Sequence, residues 1–247
     1  MQPSIRHLEQ MTEPSLDQAP SAEDRRRLRR LPLFANAGDA TVHDLLAFVP
    51  VATVARNQFA AREGAAPISL LAVVSGRFAL MTQVPGDQPQ VIAMAGKGDL
   101  IMAGAAIGGA PYPLTARAAE EGRVASFPLP ALWAAAERDP AFSADLARTA
   151  CSEWRGIIGQ LKDYRLRSAP QRFAAYLVRL AVAAGQPQQG VAEVELIDDR
   201  KTLASLLGMT PENLSRTIAQ FRDRGVVVTG RSVTITDLGG LADFAGA

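Results

Sequence analysis

Between Thr210 and Arg222 the chain places Glu212, Asn213, Ser215, Arg216 and Arg222 at spacings that put them on one side of a helix, opposite Leu214, Ile218 and Phe221. These polar types suit the edges of base pairs. An arginine grips guanine O6 and N7 with two hydrogen bonds, a glutamate accepts from cytosine N4, and a serine serves either role. Charged residues on an amphipathic helix are most often only its solvated face, so the residue types do not carry the reading alone. The elements that would have to present them carry it.

Those elements are written in the preceding residues. Asp199-Arg-Lys-Thr-Leu-Ala-Ser-Leu-Leu-Gly208 predicts a first helix with a buried face of Leu203, Leu206 and Leu207 and with Ala204 as the small residue that admits a second helix. Gly208 supplies the positive φ that ends it. Thr210 then suits an N-cap, Pro211 the first helical position and Glu212 the first turn. After Gly225 come two β-prone runs, Val226 to Thr229 and Ser232 to Ile235, turned at Gly230-Arg231. A helix, a tight turn, a second helix and a hairpin form a winged helix-turn-helix, the geometry that lays its second helix in a DNA major groove. Arg200, Thr202 and Thr210 join Glu212, Asn213, Ser215, Arg216 and Arg222 as candidate DNA contacts.

Charge gives that reading little help. The chain has 26 Lys and Arg against 25 Asp and Glu, for a net charge of +1. From Pro170 onward bases and acids balance, which is not the strongly basic profile of many nucleic-acid-binding domains. Basic residues concentrate instead between Arg148 and Arg179, where Arg148, Arg155, Lys162, Arg165, Arg167, Arg172 and Arg179 face only Glu153 and Asp163.

Other chemistries are poorly supplied. The single cysteine, Cys151, rules out a disulfide framework and a four-cysteine zinc or iron-sulfur site within one chain. A jelly-roll metalloenzyme needs clustered His and Glu ligands, and no histidine lies between Val51 and Leu129. No metal site and no enzyme activity are expected. No apolar run reaches membrane-spanning length, and Met1 to Pro20 lacks a signal-peptide pattern, so a cytoplasmic protein that does not engage a membrane is expected.

At 247 residues, 48% of them hydrophobic, the chain can build two cores. Residues 1–20 read as a flexible tail. Ser21 to Arg30 opens like a capped helix whose five arginines read as a solvated face, and Thr41 to Pro50 is a second short helix. From Val51 to Leu129 short apolar runs, among them Leu70 to Val74, Arg77 to Val84, Val91 to Ala95 and Arg123 to Phe127, alternate with Gly and Pro turns, predicting an antiparallel sandwich or jelly roll. A helix from about Pro140 to Arg167 carries Leu146, Ala150, Trp154, Ile157, Leu161 and Tyr164 at alternating spacings of three and four, the seam of a two-helix supercoil, and so predicts a parallel homodimer. Ser168-Ala-Pro170 breaks it before an amphipathic helix from Gln171 to Ala184. The expected fold class is α+β. Its parts are a jelly-roll sensor domain over 21–138, a dimerisation helix and hinge over 139–169, and a winged helix-turn-helix domain over 170–247.

With these parts in hand the chain resembles the Crp/Fnr family of bacterial transcription regulators, through Arg62-Glu63-Gly64, Val74-Ser-Gly76 and the segment from Asp199 to Leu238. Glu212-x-x-Ser215-Arg216 resembles the signature of the Fnr branch. The resemblance implies a homodimer on an inverted repeat of the TTGAT/ATCAA type, with Arg216 at the guanine, Glu212 at the opposed bases and Ser215 near the thymines. It also implies activation by contact with RNA polymerase.

Cyclic-nucleotide binders of the family carry a Gly-Glu pair for the ribose and an Arg-Ser pair for the phosphate in the loop after Gly98-Asp99. Here that loop, Leu100 to Thr115, has neither a carboxylate nor a base before Arg117, so control by cyclic AMP is not expected. Pro111-Tyr112 and Thr115-Ala116 resemble the branch of haem-based nitric-oxide sensors that regulates dissimilatory nitrate respiration. Met94, Met102, Ile107 and Arg117 are the candidate effector-pocket residues, and the available imidazoles are His7 and His43. The cofactor stays open between haem, another apolar ligand and none. Redox control through Cys151 is a further alternative, as is, in a different class, a regulatory interaction module that does not bind DNA.

Overall fold

The computed structural model describes residues 19–84, 86, 88–187 and 189–246. The expected tail lies outside the described residues apart from Ala19 and Pro20, and so does His7. Two compact units, residues 1–155 and 156–247, share one long helix.

The first unit opens with helix α1 (Ala22–Leu28), whose capping box is reciprocal: the Asp24 N–H donates to the Ser21 hydroxyl and the Ser21 N–H donates to the Asp24 carboxylate. Helix α2 (Asp39–Ala47) leads into eight strands: β1 (Val51–Val54), β2 (Phe59–Ala61), β3 (Ser69–Ser75), β4 (Phe78–Thr82), β5 (Gln90–Ala95), β6 (Leu100–Ile101), β7 (Thr115–Ala118) and β8 (Gly122–Pro128). The short helix α3 (Ala103–Gly108) lies between β6 and β7, and helix α4 (Leu129–Arg138) follows β8. The strands form two antiparallel four-stranded sheets, ordered β1-β8-β3-β6 and β2-β7-β4-β5. This is the expected roll.

The pattern of β3 shows how the layers stack. Leu71 and Val73 pack between the two sheets with Phe78, Ile101 and Ala116. Leu70, Ala72 and Val74 point the other way, into a helical layer of Leu28, Phe34, Leu45, Leu132 and Phe142. A strand buried on both faces needs a continuous apolar run, and Leu70 to Val74 provides it. Buried polar contacts fix the helices to the roll. Arg123 on β8 grips Asp24 through two 2.8 Å bonds, and the buried Asp145 accepts from the Asn36 N–H at 2.6 Å and from Arg148 at 2.7 Å. Of the arginines between Arg25 and Arg30, Arg27 pairs with Glu23, and Arg26, Arg27 and Arg30 line an open cleft beside Lys97.

Helix α5 (Pro140–Leu166) spans the predicted range closely. After it the second unit holds α6 (Ala169–Ala183), β9 (Ala192–Glu195), α7 (Arg200–Leu206), α8 (Pro211–Gln220), β10 (Val226–Thr229), β11 (Ser232–Ile235) and α9 (Leu238–Ala245). Its sheet is antiparallel in the order β10-β11-β9. Phe173, Leu177, Leu203, Leu214, Phe221, Val233 and Ile235 make its core, with Phe173 and Phe221 edge to face at 5.1 Å. Among the described residues no helix is long and apolar enough to cross a membrane, and no cluster of His, Cys, Asp or Glu is arranged to hold a metal ion.

Candidate nucleic-acid interface

The second unit presents α8 by local chemistry. Asp199 caps α7, its carboxylate accepting from the Thr202 N–H at 2.8 Å and from the Thr202 hydroxyl at 3.2 Å. At the far end of α7 the Met209 N–H reaches back to the Ala204 carbonyl at 2.9 Å and the Gly208 N–H to Ser205 at 3.0 Å. This is the Schellman closure, and it needs a left-handed residue at Gly208, whose φ is +61°. A side chain there would also collide with Tyr164, because a Cβ would lie 2.5 Å from the ring.

Arg172 and Tyr164, neither of which the sequence assigns to this turn, complete it. Arg172 of α6 donates to the carbonyls of Leu207 at 2.8 Å and Arg167 at 2.8 Å, satisfying acceptors that the helix ends leave free. Its guanidinium also lies 5.2 Å from the Tyr164 ring centre, and the Tyr164 hydroxyl donates to the Leu206 carbonyl at 2.9 Å. Burial raises the Tyr164 phenol above its ordinary pKa, although Arg172 opposes this, so the group remains a donor. Only tertiary contact reveals these roles.

Thr210 caps α8, its hydroxyl accepting from the Asn213 N–H at 3.2 Å, and Pro211 stands at the helix start. Leu214 and Phe221 are buried as expected. Two expectations need correction. Thr217 is the buried residue in the middle of the helix, while Ile218 is only half-buried, because the inner face is centred one position earlier. On α7, likewise, Leu203, Ala204 and Leu207 are buried but Leu206 is only partly so.

Glu212, Asn213, Ser215 and Arg216 all lie exposed on the outer face of α8. The guanidinium of Arg216 donates to the Asn213 side-chain oxygen at 2.5 Å. Hydrogen bonds from its own backbone and from Thr210, with help from Arg216, hold the Glu212 carboxyl below the usual range, so it is an acceptor at neutral pH. Arg200 is exposed at the start of α7, Thr202 is half-buried through its bond to the Asp199 cap, and Arg222 is exposed just beyond α8. The wing pairs Thr229 with Ser232 around Gly230-Arg231, and Arg231 donates to the Ile197 carbonyl at 2.9 Å.

The basic stretch from Arg148 to Arg179 is partly committed internally. Arg148 pairs with Asp145, and both Arg167 and Arg179 pair with Asp163. Arg155, Lys162 and Arg165 remain exposed on α5.

On α5, Trp154, Ile157 and Leu161 are 63%, 56% and 51% exposed, an apolar row that the other described residues leave uncovered. Leu146 does not belong to it: this residue is buried in the roll's helical layer beside Phe142. Ala147, exposed and one position later, restores a strict alternation of three and four through Ala150, Trp154, Ile157, Leu161 and Tyr164. Tyr164 is divided between that row and the helix-turn-helix contacts above.

The four expected effector-pocket residues do not converge. Met102 is buried in the core between the sheets, whereas Ile107 packs against the helical layer. Met94 lines an open cleft of about 290 Å³, and Arg117 lies on β7 with its Nε buried and unbonded. His43 is exposed on α2 beside Asp44, so it offers that cleft no axial ligand for a haem.

A family profile described as a Crp-like helix-turn-helix domain matches residues 171–244, and one described as a cyclic nucleotide-binding domain matches residues 51–139. The chain is similar to the fumarate and nitrate reduction regulatory protein of Escherichia coli, 27% identical over 179 residues that cover 72% of this chain and 71% of that one. It is also similar to the anaerobic regulatory protein of Haemophilus influenzae, 26% identical over 194 residues that cover 78% of this chain and 75% of that one. Among solved structures, FixK2 from Bradyrhizobium japonicum gives a TM-score of 0.68 at 18% identity, covering 79% of this chain and 96% of that one. A CooA variant from Carboxydothermus hydrogenoformans gives 0.67 at 18% identity, covering 80% and 88%. These two likenesses speak for the fold alone.

Proposed function

We propose that this chain, which belongs to the Crp/Fnr family of DNA-binding transcription regulators, acts as a homodimer that reads an inverted repeat of the TTGAT/ATCAA type. The observation that carries this reading is the outer face of α8, where Glu212, Asn213, Ser215 and Arg216 stand exposed on a helix capped by Thr210 and anchored through Leu214, Thr217 and Phe221. Arg216 reads the guanine, Glu212 accepts from the opposed base and Ser215 approaches the thymines. Arg200, Thr202, Thr210, Asn213 and Arg222 serve the backbone and flanking positions.

The exposed row of Trp154, Ile157 and Leu161 is the dimer seam. Pairing it brings two copies of α8 to half-sites about one DNA turn, roughly 34 Å, apart. In this division of labour, residues 21–138 form the sensor domain, 139–169 the dimerisation helix and hinge, and 170–247 the reader. The protein works in the cytoplasm, and activation proceeds through contact with RNA polymerase.

A fluorescence-anisotropy titration tests the proposal, with purified ligand-free protein, a TTGAT inverted repeat, a scrambled duplex and one fixed salt concentration. Selective binding to the repeat supports it. Equal affinity for the two duplexes would refute the operator, and no binding to either would leave a regulatory module that does not engage DNA.

A further inference from the structure

We propose that Glu153 is a built-in anion that latches α5 to α3, so that the sensor roll holds its long helix in place without an anionic effector. The start of α3 sets up the contact. Its N-cap is Met102, which has a φ of +49°, an unusual conformation for a residue other than glycine, and no side-chain oxygen to offer. The N–H groups that open a helix therefore need an acceptor from elsewhere. Glu153 provides it from 49 positions away in sequence, its carboxylate accepting from the Gly104 N–H. A Cβ at Gly104 would sit 2.9 Å from that carboxylate oxygen, so glycine is what lets the acid approach.

The surrounding cleft does not fit a cyclic nucleotide. Its walls include Leu80, Met94, Thr149 and Ser152, and its charged residues, Asp99 and Glu153, are both acids. A cyclic phosphate entering there would find no cation and would meet Glu153 already on the Gly104 amide, an uncompensated repulsion in a partly desolvated place. The chain's own carboxylate takes the part that a ligand's negative charge would play.

The latch also bears on the dimer seam, and this step rests on the DNA-binding reading above. Successive residues of an α-helix are turned by about 100°, so pinning Glu153 fixes the direction of its neighbour Trp154 on the seam row. Glu153 is thus a positioning residue.

Hydrogen exchange on the full-length protein, combined with DNA and ligand titrations, tests the latch using Glu153→Ala and the near-isosteric Glu153→Gln. In Glu153→Ala the peptide covering Ala103 to Gly108 should exchange about tenfold faster, and ligand-free affinity for the operator should fall severalfold; Glu153→Gln should give smaller changes of the same sign. The parent protein should bind no fluorescent cyclic AMP. Unchanged exchange at Ala103 to Gly108 in both variants would overturn the latch, as would micromolar cyclic AMP binding by the parent. If the parent fails to select the operator, the DNA-binding reading falls, but the exchange measurement still decides the role of Glu153.

Discussion

Arg216 donates a 2.5 Å hydrogen bond to the side-chain oxygen of Asn213, one turn earlier on the same exposed helix face. In the absence of DNA, Asn213 holds the guanidinium near the surface instead of leaving it to sweep freely. Less side-chain freedom then has to be surrendered on binding. Arg216→Ala should therefore lose about 1 to 3 kcal/mol of discrimination at the guanine while keeping most non-specific affinity. Parallel titrations on the repeat and on a repeat with that guanine replaced read the difference. Equal losses on both duplexes would remove Arg216 from base readout.

Gly208→Ala meets two obstacles at once. The left-handed backbone costs an L residue about 1 to 2 kcal/mol, and the new methyl would lie 2.5 Å from the Tyr164 ring. Urea unfolding should show a loss of about 2 kcal/mol or more. Adding Tyr164→Ala should recover the steric part and leave the backbone part, so non-additivity in this double mutant is the decisive observation.

The seam makes a separate prediction. Leu161→Glu places a charge in an apolar row that is 51% to 63% exposed in the single chain. Sedimentation should show a monomer, with operator affinity falling because each monomer holds only one half-site. A Leu161→Glu protein that still sediments as a dimer would move the interface elsewhere.

The helix-turn-helix was legible because its punctuation is local: Asp199, Gly208, Thr210 and Pro211 each act within four residues of themselves. The roll was legible as a class, from apolar runs between turns. What escaped depends on partners distant in sequence. Periodicity allows Leu146 and Ala147 almost equally, and only the packing of Leu146 beside Phe142 decides between them. Strand β9 is four residues of Ala-Glu-Val-Glu, too short and polar to stand out until its pairing with β11 is seen. Helix α9 begins with Leu238-Gly-Gly, a weak start by propensity, and is held by Leu238 and Leu241 in the core. Glu153 read as one of two acids in a basic stretch, and nothing near it in sequence announces Gly104.

The pair of Asp24 and Arg123 gives a pH-dependent prediction. Burial pushes the Asp24 carboxyl upward, but its bonds to Arg123 and Ser21 outweigh this and hold it below its ordinary value. A carboxyl whose pKa is lower in the folded state than in the unfolded chain stabilises the fold at pH values above the unfolded pKa, about 3.9. That contribution fades as pH falls through the lowered folded value. Asp24→Asn removes the charge, while Arg123, whose side chain is 31% exposed, can still reach water. The cost at pH 7 should then be about 2 kcal/mol, below the usual range for breaking a fully buried pair. Urea unfolding of parent and variant, repeated at steps from pH 7 to about pH 3, should show the gap narrowing only below the ordinary carboxylate range. A gap that stays constant with pH would mean that Asp24 acts through its shape and its cap on α1 and not through its charge.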